Sequence, residues 1–228
     1  MSKILVAVVV VFGALALAQE PVATVNGEPI SRDELNQLTD LSRIVLTLYQ
    51  QFPNFVQTLL LTDEGKAFLD RYERDMLEKI ILRKIQLQEA RALGIVPDEE
   101  SVAAETEETL KQIMAQYSLT EEDLASQLLL QGTTLDAFRA DIARHVREQL
   151  LIEALQAYVT AEATVSEEEI QAYYDNNPDR FTDASGNKTP FADVHDKIAA
   201  LILSEKRSAI WQAWLSEARQ RAQVEINL

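Results

Sequence analysis

The sequence predicts a mainly α-helical fold closed by a small β-sheet that joins the two ends of the chain. Three observations predict it. Ala, Leu, Glu and Gln are abundant while only 6 Gly and 6 Pro occur in 228 residues, a balance that favours helix over a turn-rich all-β fold. Long stretches repeat their apolar residues at helical spacing. Both ends carry the only strand-like runs, a hairpin pattern at 22–30 and an alternating run at 223–228.

Asn26-Gly27 lies between Val22-Ala23-Thr24-Val25 and Glu28-Pro29-Ile30 and is a type I′ turn signal, because both central residues tolerate positive φ. Ser31-Arg32-Asp33-Glu34 is a capping box that opens a helix. Pro53 breaks the apolar stretch 40–61 into two short helical pieces. Thr62 or Asp63 caps a long helix to about Leu93, with Gly94 as its stop. Further helices are predicted from Pro97-Asp98 to about Tyr117, from the cap at Thr120 to Gly132, from Leu135 to about Val159, and from the capping box at Ser166 to Asn176. Residues 182–189 form the clearest loop, and Pro190-Phe191 opens the last helix. The closing Val224-Glu225-Ile226 strand needs a partner, and the 22–30 hairpin is the one candidate. The two meet in one sheet, so the domain is discontinuous.

Residues 1–18 combine Lys3 with an apolar run and the small-x-small triplet Ala16-Leu17-Ala18, the pattern of a signal peptide cleaved between Ala18 and Gln19. An uncleaved anchor is the alternative. The 4–18 run would span only about 22 Å as a helix, against a hydrocarbon core of about 30 Å. The expected protein is therefore periplasmic or otherwise extracytoplasmic, with no membrane span after cleavage. The formal net charge is −16, which repels phosphate backbones and disfavours nucleic acid as a partner. Absence of Cys removes disulfides, thiol nucleophiles and thiolate metal sites, and histidine occurs only at 145 and 195.

No catalytic residue, metal site or cofactor is predicted. The carboxylate pairs at 99/100, 121–123 and 167–169 sit at helix starts, where they complement the dipole. No G-x-S-x-G, G-x-G-x-x-G or P-loop occurs. Trp211 and Trp214 are read as core rather than as a binding platform. The segment 40–61 has two readings. It is simple core, or its excess of apolar residues is partly exposed and adhesive to another chain. On the second reading the contact residues are Tyr49, Phe52, Phe55, Val56 and Leu59, with a further patch at Met114, Tyr117, Leu124 and Leu128.

The order of motifs resembles the SurA-type extracytoplasmic chaperones. The resemblance runs from Val25-Asn26-Gly27-Glu28-Pro29-Ile30-Ser31 through Gln88-Glu89-Ala90-Arg91-Ala92-Leu93-Gly94. It continues through Ser118-Leu119-Thr120-Glu121-Glu122-Asp123-Leu124 and Gly132-Thr133-Thr134-Leu135 to Val165-Ser166-Glu167-Glu168-Glu169-Ile170, Ala213-Trp214-Leu215 and the terminal strand. It divides the mature chain into an N-terminal chaperone part over 19–181 and a completing helix and strand over 190–228. In the family's enzymatic members a parvulin prolyl-isomerase domain sits between the last two helices. Here only 182–189 occupies that place, too short for an α/β catalytic domain. The resemblance implies an ATP-independent holdase for unfolded or nascent exported polypeptides, outer-membrane proteins among them. It needs no cofactor, and homodimerisation is left open. A residual prolyl isomerase and a helical adaptor for one folded partner are the competing readings.

Overall fold

The computed structural model describes residues 20–182 and 186–228. The predicted signal segment 1–18, the cleavage position Ala18/Gln19 and part of the 182–189 loop lie outside these residues. The chain divides into two units, residues 1–81 with 223–228 and residues 82–222.

In the first unit, β1 (Ala23–Val25), β2 (Glu28–Ile30) and β3 (Val224–Ile226) form an antiparallel sheet in the order β2-β1-β3. Ala23 pairs with Ile30 on one side and with Ile226 on the other. The 22–30 hairpin and the C-terminal strand therefore share one sheet, as the sequence predicts. Asn26 (φ 51°) and Gly27 (φ 83°) take the two positive-φ positions of the turn. Asn26 also holds β3. Its N–H donates to the Gln223 carbonyl at 2.8 Å, and its Oδ1 accepts from the Gln223 N–H at 2.8 Å. At the other end Asn227 N–H donates to the Val22 carbonyl, again at 2.8 Å.

Helix α1 (Arg32–Thr39) starts at Ser31, whose hydroxyl accepts from the Glu34 N–H at 3.0 Å. Asp40, in the left-handed conformation, ends it and leads into α2 (Leu41–Gln51). Pro53 opens α3 (Pro53–Leu61), where its fixed φ suits the first helical position. Thr62 accepts from the Gly65 N–H at 3.1 Å and so caps α4 (Asp63–Ala92). The α1 and α4 helices are tied by the Arg32–Glu73 ion pair and by Tyr72, whose hydroxyl donates to the Thr39 carbonyl. Among the described residues of this unit, the largest fully buried side chains are Val22, Val25, Ile30, Leu35, Val56, Leu77 and Ile81.

The second unit takes up the C-terminal part of α4 with α5 (Glu99–Tyr117), α6 (Glu121–Leu130), α7 (Leu135–Val159), α8 (Glu167–Asn176), a 3₁₀ turn (Pro178–Phe181) and α9 (Phe191–Arg221). Val102, Leu110, Leu124, Leu128, Ile142 and Val146 pack together where α5, α6 and α7 meet. Leu87, Ala90, Leu151, Leu155 and Trp211 join α4, α7 and α9. Ile170, Tyr174 and Ile198 join α8 to α9. Full two-way capping boxes form at Thr120/Asp123 and Ser166/Glu169. Helix α4 ends in a Schellman motif at Gly94, with Ile95 N–H bonded to the Ala90 carbonyl. Helix α5 ends in the same way, but Ser118 holds the left-handed position (φ 53°) and Leu119 N–H bonds to the Met114 carbonyl.

Candidate functional site

The α2–α3 pair is the most exposed apolar part of the first unit. Helix α2 reads Leu-Ser-Arg-Ile-Val-Leu-Thr-Leu-Tyr-Gln-Gln, and none of its residues is buried. In α3 only Val56 is buried, at 1% exposure. Phe52, at the joint between the helices, is 56% exposed, Phe55 is 58% and Leu61 is 74%. Ile44, Leu46, Tyr49 and Leu60 are exposed as well. Solvent contact of so many large apolar groups within one helical pair is unfavourable for an isolated surface, which makes this pair the candidate site. The only charge between Asp40 and Asp63 is Arg43, which pairs with Asp40.

The structure sorts the residues expected to contact another chain. Tyr49, Phe52 and Phe55 are on the surface, and Leu59 is partly exposed. Val56 is not. It points inward, because residues 52, 55 and 56 span one helical turn and only one of its faces turns toward the fold. In the second predicted patch Tyr117 is exposed and Met114 is half-buried against the α5–α6–α7 core. Leu124 and Leu128 are corrected to core, each 6% exposed. Their four-residue spacing lays them along one stripe of α6, and that stripe packs against α5 and α7. Leu129 and Leu130, which the sequence reading passed over, are the large apolar residues that α6 turns to solvent, and Phe68 on α4 is exposed as well. The signal for them was three consecutive leucines, of which a single helical stripe can bury only part.

The ionisable and aromatic groups that could suggest chemistry have local partners in the fold. Asp98 and Asp123 accept hydrogen bonds from Ser101 and Thr120, which hold both carboxyls below the usual carboxylate range. Glu169 is lowered by its bond from Lys206 and by the Ser166 N–H. His145 lies on α7 with Nδ1 2.7 Å from the Asp141 carbonyl one turn back. His195 sits between Asp196 and Glu167, each carboxylate 2.9 Å from one ring nitrogen, and these bonds raise its pKa. Trp211 and Trp214 stack at 5.1 Å with an interplanar angle of 8°, Trp211 buried and Trp214 packed against the same cluster. Among the described residues no group of acids or histidines is arranged to hold a metal ion, and no helix is long and apolar enough to cross a membrane.

The short connection between α8 and α9 closes on itself. Thr182 and Lys188 form an antiparallel bridge, and Thr189 N–H donates to the Phe181 carbonyl at 2.6 Å. Tyr174 donates to the Thr189 carbonyl at 2.5 Å, and the Lys188 ammonium lies 4.3 Å from the centre of the Tyr174 ring.

Residues 1–156 match the family model of the SurA-like N-terminal domain, and the chain belongs to that family. Among curated proteins it is similar to the foldase protein PrsA of Clostridium botulinum, strain Langeland, with 26% identity over 168 residues, covering 74% of this chain and 48% of that protein. PrsA of Clostridium kluyveri is 25% identical over 181 residues, 78% of this chain and 52% of that one. The chain thus spans about half the length of the curated relatives it matches. Among solved structures it resembles a chain from work on the virulence factor PEB4 and the periplasmic protein Cj1289, described as structurally related SurA-like chaperones of Campylobacter jejuni. The TM-score is 0.51 at 14% identity, over 91% of this chain and 99% of that one. That likeness concerns the fold.

Proposed function

We propose that the protein is an ATP-independent extracytoplasmic holdase that binds unfolded exported polypeptides on α2 and α3. The observation that carries the reading is the exposure of Tyr49, Phe52, Phe55 and Leu61 on a helical pair with a single charged residue, within an acidic chain of the SurA-like family. Apolar client side chains gain about 1.5–3 kcal/mol each when fully buried, before the cost of ordering them. Several such contacts give reversible capture, and release follows when the client buries the same groups in its own fold. The net charge of −16 keeps the complexes in solution through mutual repulsion. The signal-like segment 1–18 supports an extracytoplasmic location.

The test is suppression of aggregation. Several unrelated unfolded proteins are diluted into buffer with and without the purified chain, in the absence of nucleotide. The expected result is protection of all of them at near-stoichiometric ratios. Protection of none, with tight binding of one folded protein, replaces the holdase by an adaptor. Catalysis of prolyl-peptide isomerisation above background replaces it by an enzyme.

A further inference from the structure

If α2 and α3 hold polypeptides, their electrostatic setting determines which polypeptides they hold, and the inference that follows rests on that reading. Between Arg43 and Asp63 the chain carries no charged residue. Over the first unit as a whole the balance is negative. The described part of the first unit has twelve carboxylates against six cationic side chains. Three of the cations are already paired within the fold, Arg32 with Glu73, Arg43 with Asp40 and Arg71 with Asp75. Asp40, paired with Arg43, precedes α2, Asp63 and Glu64 follow α3 directly with Lys66 beside them, and Asp70 lies further along α4. An apolar strip without charge, framed in sequence by a carboxylate excess, complements one kind of segment.

We propose that the α2–α3 surface selects segments whose aromatic and aliphatic residues are flanked by Lys or Arg, and discriminates against the same residues flanked by Asp or Glu. The apolar side chains meet Tyr49, Phe52 and Phe55. The flanking cations lay their methylene stems along the strip and extend their heads to the acidic border. Flanking carboxylates meet like charge there and must stay hydrated. Because the border is exposed, the selectivity is screened by salt, whereas the apolar contact is not.

The experiment uses fluorescence anisotropy on the purified full chain. Three labelled peptides share the core Ser-Leu-Phe-Ala-Trp-Leu-Ser and carry two Lys, two Ser or two Glu at each end. At low salt the Lys-flanked peptide is expected to bind about tenfold tighter than the Glu-flanked one, with the Ser-flanked peptide between them, and at 0.5 M salt the spread falls below about twofold. The charge-neutral double variant Phe52→Ser, Phe55→Ser is expected to weaken all three by a similar factor. Equal affinities for Lys- and Glu-flanked peptides, with the Ser-flanked peptide bound, overturn the selectivity and leave the binding surface standing. Failure of all three peptides to bind, together with no suppression of aggregation, overturns the surface itself. Lys-peptide binding that survives the double variant, or a dimer in sedimentation that the variant dissolves, assigns the face to something else and overturns the proposal.

Discussion

Placing aspartate at Phe52 and Phe55 separates adhesion from folding. Both rings are less than half buried, so each contributes only about 0.6–1.3 kcal/mol of the 1.5–3 kcal/mol that full burial would give. Position 52 is the N-cap of α3 and position 55 lies in its first turn. A carboxylate is favoured at both by the free N–H groups and the helix dipole, although at 52 the end of α2 opposes part of that gain. The double variant Phe52→Asp, Phe55→Asp should therefore melt within about 3 °C of the parent. Val56 between them supplies the contrast. It is 1% exposed, and Val56→Ala removes two carbons at about 0.8 kcal/mol each and leaves a small cavity, about 2 kcal/mol in all. At roughly 2–4 °C per kcal/mol that lowers the melting temperature by about 4–8 °C. Thermal melts by circular dichroism and light-scattering assays of client aggregation read the two effects separately. The expected pattern is lost protection with retained stability for the aspartate pair, and retained protection with lost stability for Val56→Ala. A double variant that protects clients as well as the parent, or melts as low as Val56→Ala, refutes the assignment of this surface.

Two further substitutions test the local physics. Alanine normally stabilises a helix by about 1 kcal/mol over glycine, yet at Gly65 a Cβ would overlap the backbone carbonyl of Leu59. Gly65→Ala should therefore destabilise by about 1–3 kcal/mol, and a rise in melting temperature would refute the close approach of α3 to α4. His195 donates to Asp196 and Glu167 at once, which requires both ring nitrogens to be protonated, and those bonds raise its folded pKa above the ordinary 6.5. Its contribution is thus complete below the unfolded pKa and lost as pH rises through the folded one. The melting-temperature difference between the parent and His195→Gln should be positive near pH 5.5 and vanish in alkaline buffer. A difference independent of pH overturns the doubly protonated bridge.

Much of the fold is legible because its punctuation is local. Thr120, Ser166 and Gly94 act through hydrogen bonds to residues within five positions, so their types announce the helix ends. The terminal strand was legible for another reason, since an alternating run needs a partner and the hairpin was the sole candidate. Ser118 was not legible, because serine in the left-handed conformation is stabilised by the helix end it closes and by Leu119 packing on the core, not by its own preference. The surface was legible in part. Periodicity assigns residues to a stripe but does not say which neighbour the stripe meets. Leu124 and Leu128 therefore looked as adhesive as Phe52 and Phe55, until α5 and α7 were seen to cover them.

The placement of β1 between β2 and β3 has a consequence for biogenesis. One edge of β1 finds its partner within a few residues, but the other waits for Val224–Ile226, which leave the ribosome some two hundred residues later. Until they do, the bond that Asn26 N–H makes to Gln223 has no acceptor and the β1 edge stays open to any passing strand. The second half of the sheet's hydrogen bonds therefore cannot form until the 223–228 segment has been made. Removal of residues 223–228 would leave the β1 edge unpaired, a template that the folded domain covers with β3.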